Sequence, residues 1–180
     1  MEKILITGAT GFVGSHLTEL CVEKGYKVVA FDRYNRNYNL GWLEQSKYKS
    51  DIEFVFGDIR DYDSVLKTMK GCQTVFHLAA LIGIPYSYLS PLAYLKTNTE
   101  GTYNVLEAMR RNGVKKIVYT SSGTVYGDTP VIPIPETYGP THPISLYGAG
   151  KLAGEALITA FCHTFEIVHE YKRVYINLFV

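Results

Sequence analysis

At 180 residues the chain is long enough to bury one sizeable core and short for two. Apolar residues make up 47% and charged residues 19%, which excludes a disordered or collagen-like chain. Eighteen basic residues against 17 acidic leave a net charge of +1, which argues against a dedicated nucleic-acid surface.

The first strand-like run is Lys3–Thr7, with no charged leader and apolar core ahead of it. It passes into Gly8-Ala9-Thr10-Gly11-Phe12-Val13-Gly14 and a helical pattern over Gly11–Lys24. Gly25 follows, suited to a left-handed helix end. The strand-like runs Lys27–Asp32, Ile52–Phe56, Thr74–Ala79 and Lys116–Ser121 come next in turn, rich in Val, Ile and Phe. Their apolar residues are mostly continuous rather than alternating, as in a parallel sheet covered on both faces. Helical patterns fill the gaps over Asp63–Lys70, Pro91–Asn112 and Leu146–Phe165, and Gly113 closes the second of these. Ser90 is placed to cap the helix that Pro91 opens. Asp128–Pro143, with five prolines, predicts an extended loop. The last run, Val174–Val180, offers one further strand. Strand–helix alternation of this kind predicts an α/β fold, a doubly wound, Rossmann-like parallel sheet of about six strands in a single domain over 1–180.

No apolar run approaches the roughly 20 residues that span a bilayer. Cys21, Cys72 and Cys162 are far apart and odd in number, with no spacing that suggests zinc, so they are expected to be reduced structural thiols. A cytoplasmic protein with no membrane partner and no resident metal is expected.

The glycine-rich loop sits between a strand and a helix, where glycines allow a tight turn, a close approach to a pyrophosphate and close helix packing. The helix start then offers free N–H groups and its positive dipole end. Asp32 ends the next strand 18 residues after Gly14, where a carboxylate accepts hydrogen bonds from a ribose diol and repels the 2′-phosphate of NADP. Arg33 and Arg36 stand close enough to weaken that repulsion. Further on, Tyr147-Gly148-Ala149-Gly150-Lys151 places a phenol and an ammonium four residues apart, on one helix face. A free tyrosine, with a pKa of about 10, is a poor base at neutral pH, and a nearby cation favours its phenolate. The run Thr120-Ser121-Ser122-Gly123-Thr124-Val125-Tyr126 leaves a strand at the carboxyl edge, where such sheets bind ligands.

With its Gly-x-x-Gly-x-x-Gly spacing, strand-end serine and Tyr-x-x-x-Lys pair in this order, the chain resembles the extended short-chain dehydrogenases/reductases, in their NAD-dependent sugar-nucleotide epimerase/dehydratase branch. The resemblance implies that Gly8, Gly11, Phe12, Val13 and Gly14 cradle NAD and that Asp32 holds its ribose. It implies that Asp58 and Ile59 border the adenine, that Leu78, Ala79 and Ala80 run beside the cofactor, and that Asn98 steadies the site. His77, taken singly, is expected to be a packed strand-end histidine. Ser122, Tyr147 and Lys151 become the catalytic set: Tyr147 exchanges a proton with a sugar hydroxyl, Lys151 lowers its pKa and holds the nicotinamide ribose, and Ser122 bonds the reacting oxygen. Gly123, Thr124 and Tyr126 line the sugar side.

The implied substrate is a nucleotide sugar. Family dehydratases carry acidic residues just after the catalytic serine or threonine, but Gly123 and Thr124 have no carboxyl. That favours a nucleoside-diphosphate-sugar 4-epimerase working through a transient 4-keto intermediate. Pro135–Phe165 also resembles 4-epimerases. The Tyr34–Trp42 region and Leu81–Tyr88 instead resemble bacterial dehydratases acting on UDP-N-acetylglucosamine, so a 4,6-dehydratase is the alternative. The resemblance covers about residues 1–165. Relatives continue with an Arg-x-x-Asn strand and a C-terminal sugar-binding region, whereas Arg173 and Asn177 stand one residue too far apart. A missing C-terminal domain is therefore expected, and with it the third alternative of an NAD-binding module without turnover. Relatives dimerise through helices matching Pro91–Asn112 and Leu146–Phe165, which makes a homodimer possible here.

Overall fold

The structure, a computed structural model, describes residues 1–174. Six strands form one parallel sheet: β1 (Lys3–Thr7), β2 (Lys27–Arg33), β3 (Ile52–Gly57), β4 (Thr74–His77), β5 (Lys116–Ser122) and β6 (Val168–Val174), in the order β3-β2-β1-β4-β5-β6. Ile4 lies opposite Val28 on one side and Thr74 on the other. The chain runs outward from β1 to β3, then crosses back to β4. The reversal between β1 and β4 opens a crevice at the carboxyl ends of those strands, which is where ligands enter sheets of this kind.

Successive residues of a strand point to opposite faces, which explains the continuous apolar runs. Ile4 and Ile6 pack with Val28, Ala30, Leu40 and Leu43 on one face. Leu5 packs with Val29, Val65, Met69, Leu106, Met109, Ile117 and Ile158 on the other. Each fully buried aliphatic side chain contributes roughly 1.5–3 kcal/mol relative to exposure.

The helices are α1 (Phe12–Glu23), α2 (Tyr62–Thr68), α3 (Ile84–Leu89), α4 (Pro91–Tyr94), α5 (Gly101–Asn112) and α6 (Leu146–Phe165). The expected helix over Pro91–Asn112 forms in three consecutive pieces, because Leu95–Glu100 between α4 and α5 is a π-helical turn. Such turns occur frequently at functional sites. Ser90 makes no side-chain cap to α4, contrary to expectation; its carbonyl instead accepts from Ala93 N–H at 3.1 Å. Helix α3 was not expected, because six residues carry too little periodicity to register. Pro85 in its first turn favours it by fixing φ.

The edge strand β6 lies ahead of the expected Val174–Val180 strand, whose positions 175–180, with Asn177, lie outside the described residues. Among the described residues no helix is long and apolar enough to cross a membrane. Cys21, Cys72 and Cys162 are buried free thiols, and burial pushes Cys72 and Cys162 up to about 11.

Candidate active site

The glycine loop leaves β1 at the crevice. Gly8 takes φ +72°, and a Cβ there would lie 2.8 Å from Ala79 N. A Cβ on Gly14 would lie 2.1 Å from Gly8 O, so α1 packs on the loop only because position 14 has no side chain. Gly11 is the N-cap of α1 and provides no side-chain cap, which leaves the first-turn N–H groups of Phe12 and Val13 facing outward. Both side chains are exposed beside them.

Asp32 near the end of β2 is held by three donors. Its Oδ2 accepts from Thr10 N–H and from Thr10 Oγ1, each at 2.7 Å, and its Oδ1 accepts from Arg33 N–H at 2.7 Å. Thr10 was not expected to carry a role, although its place inside the glycine loop was a usable signal. Asp58 is turned toward Arg60, accepting from its backbone N–H and from its Nε, both at 2.9 Å, and this guanidinium holds the carboxyl below its ordinary value. Ile59 is buried in the core beneath Gly101, with its carbonyl accepting from Asn104 Nδ2 at 3.0 Å.

A directed hydrogen-bond chain runs under the crevice. Ala79 N–H donates to Thr7 Oγ1 (3.2 Å), which lies 2.7 Å from His77 Nδ1. His77 Nε2 lies 3.0 Å from Thr102 Oγ1, which donates to Asn98 O at 2.8 Å. Because the Thr102 proton is committed to Asn98, Thr102 must accept from His77, which fixes the Nε2–H tautomer and leaves Nδ1 to accept from Thr7. His77 is fully buried, and burial lowers it to about 3, with the Lys151 cation adding to the effect. It is the packed neutral histidine expected at this position.

Asn98, in the π-helical turn, clamps the strand-end segment. Its Oδ1 accepts from Leu81 N–H and its Nδ2 donates to Leu81 O, both at 2.8 Å. The segment Leu78–Ala80 is thereby stretched, half-buried, between the Thr7 and Asn98 attachments.

The structure brings Ser122 and Tyr147 together. Ser122 ends β5, and its Oγ accepts from Thr124 N–H at 3.2 Å and Thr124 Oγ1 at 3.0 Å, starting the short turn Gly123–Tyr126. Tyr147 lies in the first turn of α6, which Ser145 caps by accepting from Gly148 N–H at 3.0 Å. Burial raises the Tyr147 phenol, and a hydrogen bond with the Ser122 hydroxyl opposes that shift. The expected lowering by Lys151 is not what this arrangement produces. The Lys151 ammonium instead donates to Thr120 O at 2.7 Å and lies 4.7 Å over the Tyr119 ring. Burial pulls Lys151 down to about 7 against the opposing charge of Glu155, a buried carboxylate that accepts from Ser121 Oγ at 2.6 Å. Glu155 and Ser121 were also missed; a carboxylate one turn beyond the lysine was the available clue. On the sugar side, Tyr126 Oη donates to Glu136 O at 3.4 Å.

A doubly wound sheet with a glycine cradle at its switch point and a Ser/Tyr/Lys set at its carboxyl edge defines the dinucleotide-dependent class. Residues 4–174 match the NAD dependent epimerase/dehydratase family, and the chain belongs to it. A putative UDP-glucose 4-epimerase of Methanocaldococcus jannaschii is 36% identical over 96% of this chain and 56% of its own. Protein CapI of Staphylococcus aureus is 33% identical over 92% of this chain and 51% of its own. Among solved structures, a UDP-glucose-4-epimerase from Stenotrophomonas maltophila with bound NAD and formylated UDP-arabinopyranose superposes with a TM-score of 0.87. It shares 31% identity over 96% of this chain and 52% of that one. A UDP-N-acetylglucosamine 4-epimerase from Methanobrevibacter ruminantium, in complex with UDP-N-acetylmuramic acid, gives 0.85 at 29% identity, over 96% and 54%. The chain spans about half the length of the curated relatives it matches.

Proposed function

We propose that this chain carries the NAD site and the acid/base groups of a nucleoside-diphosphate-sugar 4-epimerase that works through a transient 4-keto sugar. The observation that carries this reading is the meeting of the Ser122 and Tyr147 hydroxyls at the carboxyl edge of β5, with Lys151 one turn further along α6.

The residues fit the dinucleotide. The cradle at Gly8 and Gly14 has no room for side chains, and the first-turn N–H groups of Phe12 and Val13, beyond the Gly11 cap, suit a pyrophosphate. Asp32 takes the adenosine ribose, Asp58 and Ile59 border the adenine, and Leu78, Ala79, Ala80 and Asn98 form the wall beside the nicotinamide half. When bound, NAD would supply the hydride acceptor, and later the hydride donor, for the sugar C4. Tyr147 takes the C4 hydroxyl proton as hydride leaves and restores it on return, while Ser122 hydrogen-bonds that oxygen. Lys151, one turn further along α6, binds the nicotinamide ribose. Gly123, Thr124 and Tyr126 face the sugar, which turns between the two transfers so that C4 is inverted.

A 4,6-dehydratase must also remove the C5 proton and expel the C6 hydroxyl, and positions 123 and 124 hold no acid for that work. The segments Tyr34–Trp42 and Leu81–Tyr88 support the dehydratase as a second reading. A homodimer is supported by Leu92, Leu95 and Tyr103, exposed on α4, the π-helical turn and α5, although Val105 and Leu106 are core residues. The reduced thiols favour the cytoplasm.

Proton NMR of UDP-glucose and of UDP-N-acetylglucosamine, each incubated with the chain and NAD, tests the reading. Appearance of the 4-epimer supports it, and a 4-keto-6-deoxy sugar replaces it with the dehydratase. An unchanged sugar despite bound NAD reduces the chain to a cofactor-binding module. Tyr147→Phe should remove turnover and leave NAD affinity within about twofold, since the lost hydroxyl acts on the sugar and not on the cradle.

A further inference from the structure

Thr10 has no assigned part in cofactor recognition, yet it is the main support of the Asp32 carboxylate. Its backbone N–H and its hydroxyl both donate to Asp32 Oδ2 at 2.7 Å. A carboxylate oxygen offers about two acceptor positions, so Oδ2 is filled by Thr10 alone. Oδ1 accepts from Arg33 N–H and keeps one position. Three donors therefore fix the plane of the carboxylate and leave a single acceptor position, on Oδ1.

Thr10 is itself held from a second direction. Its carbonyl accepts from Trp42 N–H at 3.1 Å. Gly41, at φ +55°, comes so close that a Cβ would lie 2.4 Å from Thr10 O and 3.2 Å from Thr10 Cβ. Leu40 and Leu43 are buried in the core on either side of that contact. The segment following β2 is thus anchored in the core and bears on the glycine loop at Thr10, while the Trp42 ring packs edge-on against Phe12, 5.4 Å between centroids.

We infer that Thr10 is a positioning residue that locks the Asp32 carboxylate in the orientation that accepts a ribose hydroxyl and rejects a 2′-phosphate, with Gly41–Trp42 as its buttress. The inference rests on the reading of Asp32 as the ribose acceptor. Without the Thr10 hydroxyl, Asp32 loses a charge-assisted bond and gains freedom to swing toward the exposed Arg33 and Arg36, which removes the like-charge barrier to NADP.

The experiment is calorimetric titration of the full chain with NAD and NADP, for wild type, Asp32→Ala, Thr10→Val, Thr10→Ser and Gly41→Ala. Thr10→Val keeps the backbone N–H and the side-chain shape. It should lower the NADP/NAD dissociation-constant ratio by about tenfold, the scale of one charge-assisted hydrogen bond. Thr10→Ser restores the hydroxyl and should stay within about twofold of wild type. Gly41→Ala, which leaves the hydroxyl in place but displaces Thr10, should shift the ratio in the same direction as Thr10→Val. A Thr10→Val ratio equal to wild type, whatever happens to thermal stability, overturns the role of Thr10. If Asp32→Ala shifts the ratio in that same experiment, the ribose reading of Asp32 stands and only the positioning role is lost. A wild-type chain that shows no preference, or an Asp32→Ala variant with unchanged preference, overturns both.

Discussion

The Lys151 ammonium and the main-chain oxygen of Thr120 are joined by a 2.7 Å hydrogen bond across the seam between α6 and β5. Lys151 is only 2% exposed, and burial brings it from 10.5 to about 7. Around neutral pH the residue is poised between cation and free amine. An acid/base site that operates near pH 7 gains from a group with this property.

That poise makes stability depend on pH with a definite sign. The unfolded chain keeps the Lys151 proton up to about 10.5, and the folded chain only up to about 7. Between those values the unfolded state binds more protons, so the contribution of Lys151 grows as pH rises through this window and is lost as pH falls to 7. Lys151→Met removes the titration and keeps the side-chain length. The stability difference between variant and wild type should favour the variant most at pH 6–7 and shrink toward pH 10, a change on the order of a few kcal/mol that the melting temperatures follow. Thermal scans over that range decide it; a difference independent of pH would mean that water reaches the ammonium.

Asn98 makes a closed pair of bonds with the backbone of Leu81, each 2.8 Å. Asn98→Ala removes both and leaves a half-buried N–H and C=O unpaired. The expected cost is about 2 kcal/mol in denaturant unfolding. Because the clamp stretches the Leu78–Ala80 segment, NAD affinity should fall as well. An unchanged affinity alongside the lost stability would separate that wall from the cofactor.

Strands β1 to β5 were legible because each is a largely apolar run between turn residues, and the glycine cradle because its spacing sits between a strand and a helix. Strand β6 was not, because Val168–Val174 carries His169, Glu170, Lys172 and Arg173 in place of an apolar run. The pairing of Ser122 with Tyr147 came from the family resemblance of the strand-end serine and the Tyr-x-x-x-Lys pair, not from spacing alone. What the sequence did not disclose depends on contacts between distant residues. Thr10 reaches Asp32 across 22 positions, and Ser121 reaches Glu155 across 34. No periodicity encodes such pairs. The π-helical turn around Asn98 was hidden for a different reason: its residues continue the helical pattern, and only the backbone bonding changes. The orientation of Lys151 toward Thr120 was equally hidden, since a main-chain acceptor leaves no mark on the residue type.

Helix α6 packs against β5 through Gly154, where a Cβ would lie 2.4 Å from Tyr119 Oη and 2.8 Å from Tyr119 Cζ. The ring is rigid and fully buried, so Gly154→Ala should cost about 1–3 kcal/mol, even though alanine is the better helix former by about 1 kcal/mol. In a Tyr119→Leu background the obstruction is gone, and the same substitution should become neutral or stabilising. A double-mutant cycle measured by denaturant unfolding gives the coupling directly. Additive effects would mean that α6 does not rest on Tyr119.

His77 allows the sharpest check of the buried chain, because its tautomer and its titration are linked. The Thr7 hydroxyl donates to Nδ1 and the Thr102 hydroxyl accepts from Nε2–H, so a second proton on Nδ1 would face a donor and lose its acceptor. Burial already holds the ring down to about 3, against its ordinary 6.5. Below pH 6.5 the unfolded chain takes up a proton that the folded chain refuses until about pH 3. The stability His77 contributes is therefore complete above 6.5 and is lost as pH falls through this window. His77→Gln stays neutral throughout and keeps one donor and one acceptor in an imperfect position. It should be less stable than wild type by about 1–2 kcal/mol at pH 7, with a shallower decline toward pH 4, so that the two urea-unfolding curves converge. Nitrogen NMR of the ring should show Nδ1 unprotonated at pH 5. A ring that gains its second proton near pH 6, with parallel stability curves, would break the directed chain from Ala79 to Asn98.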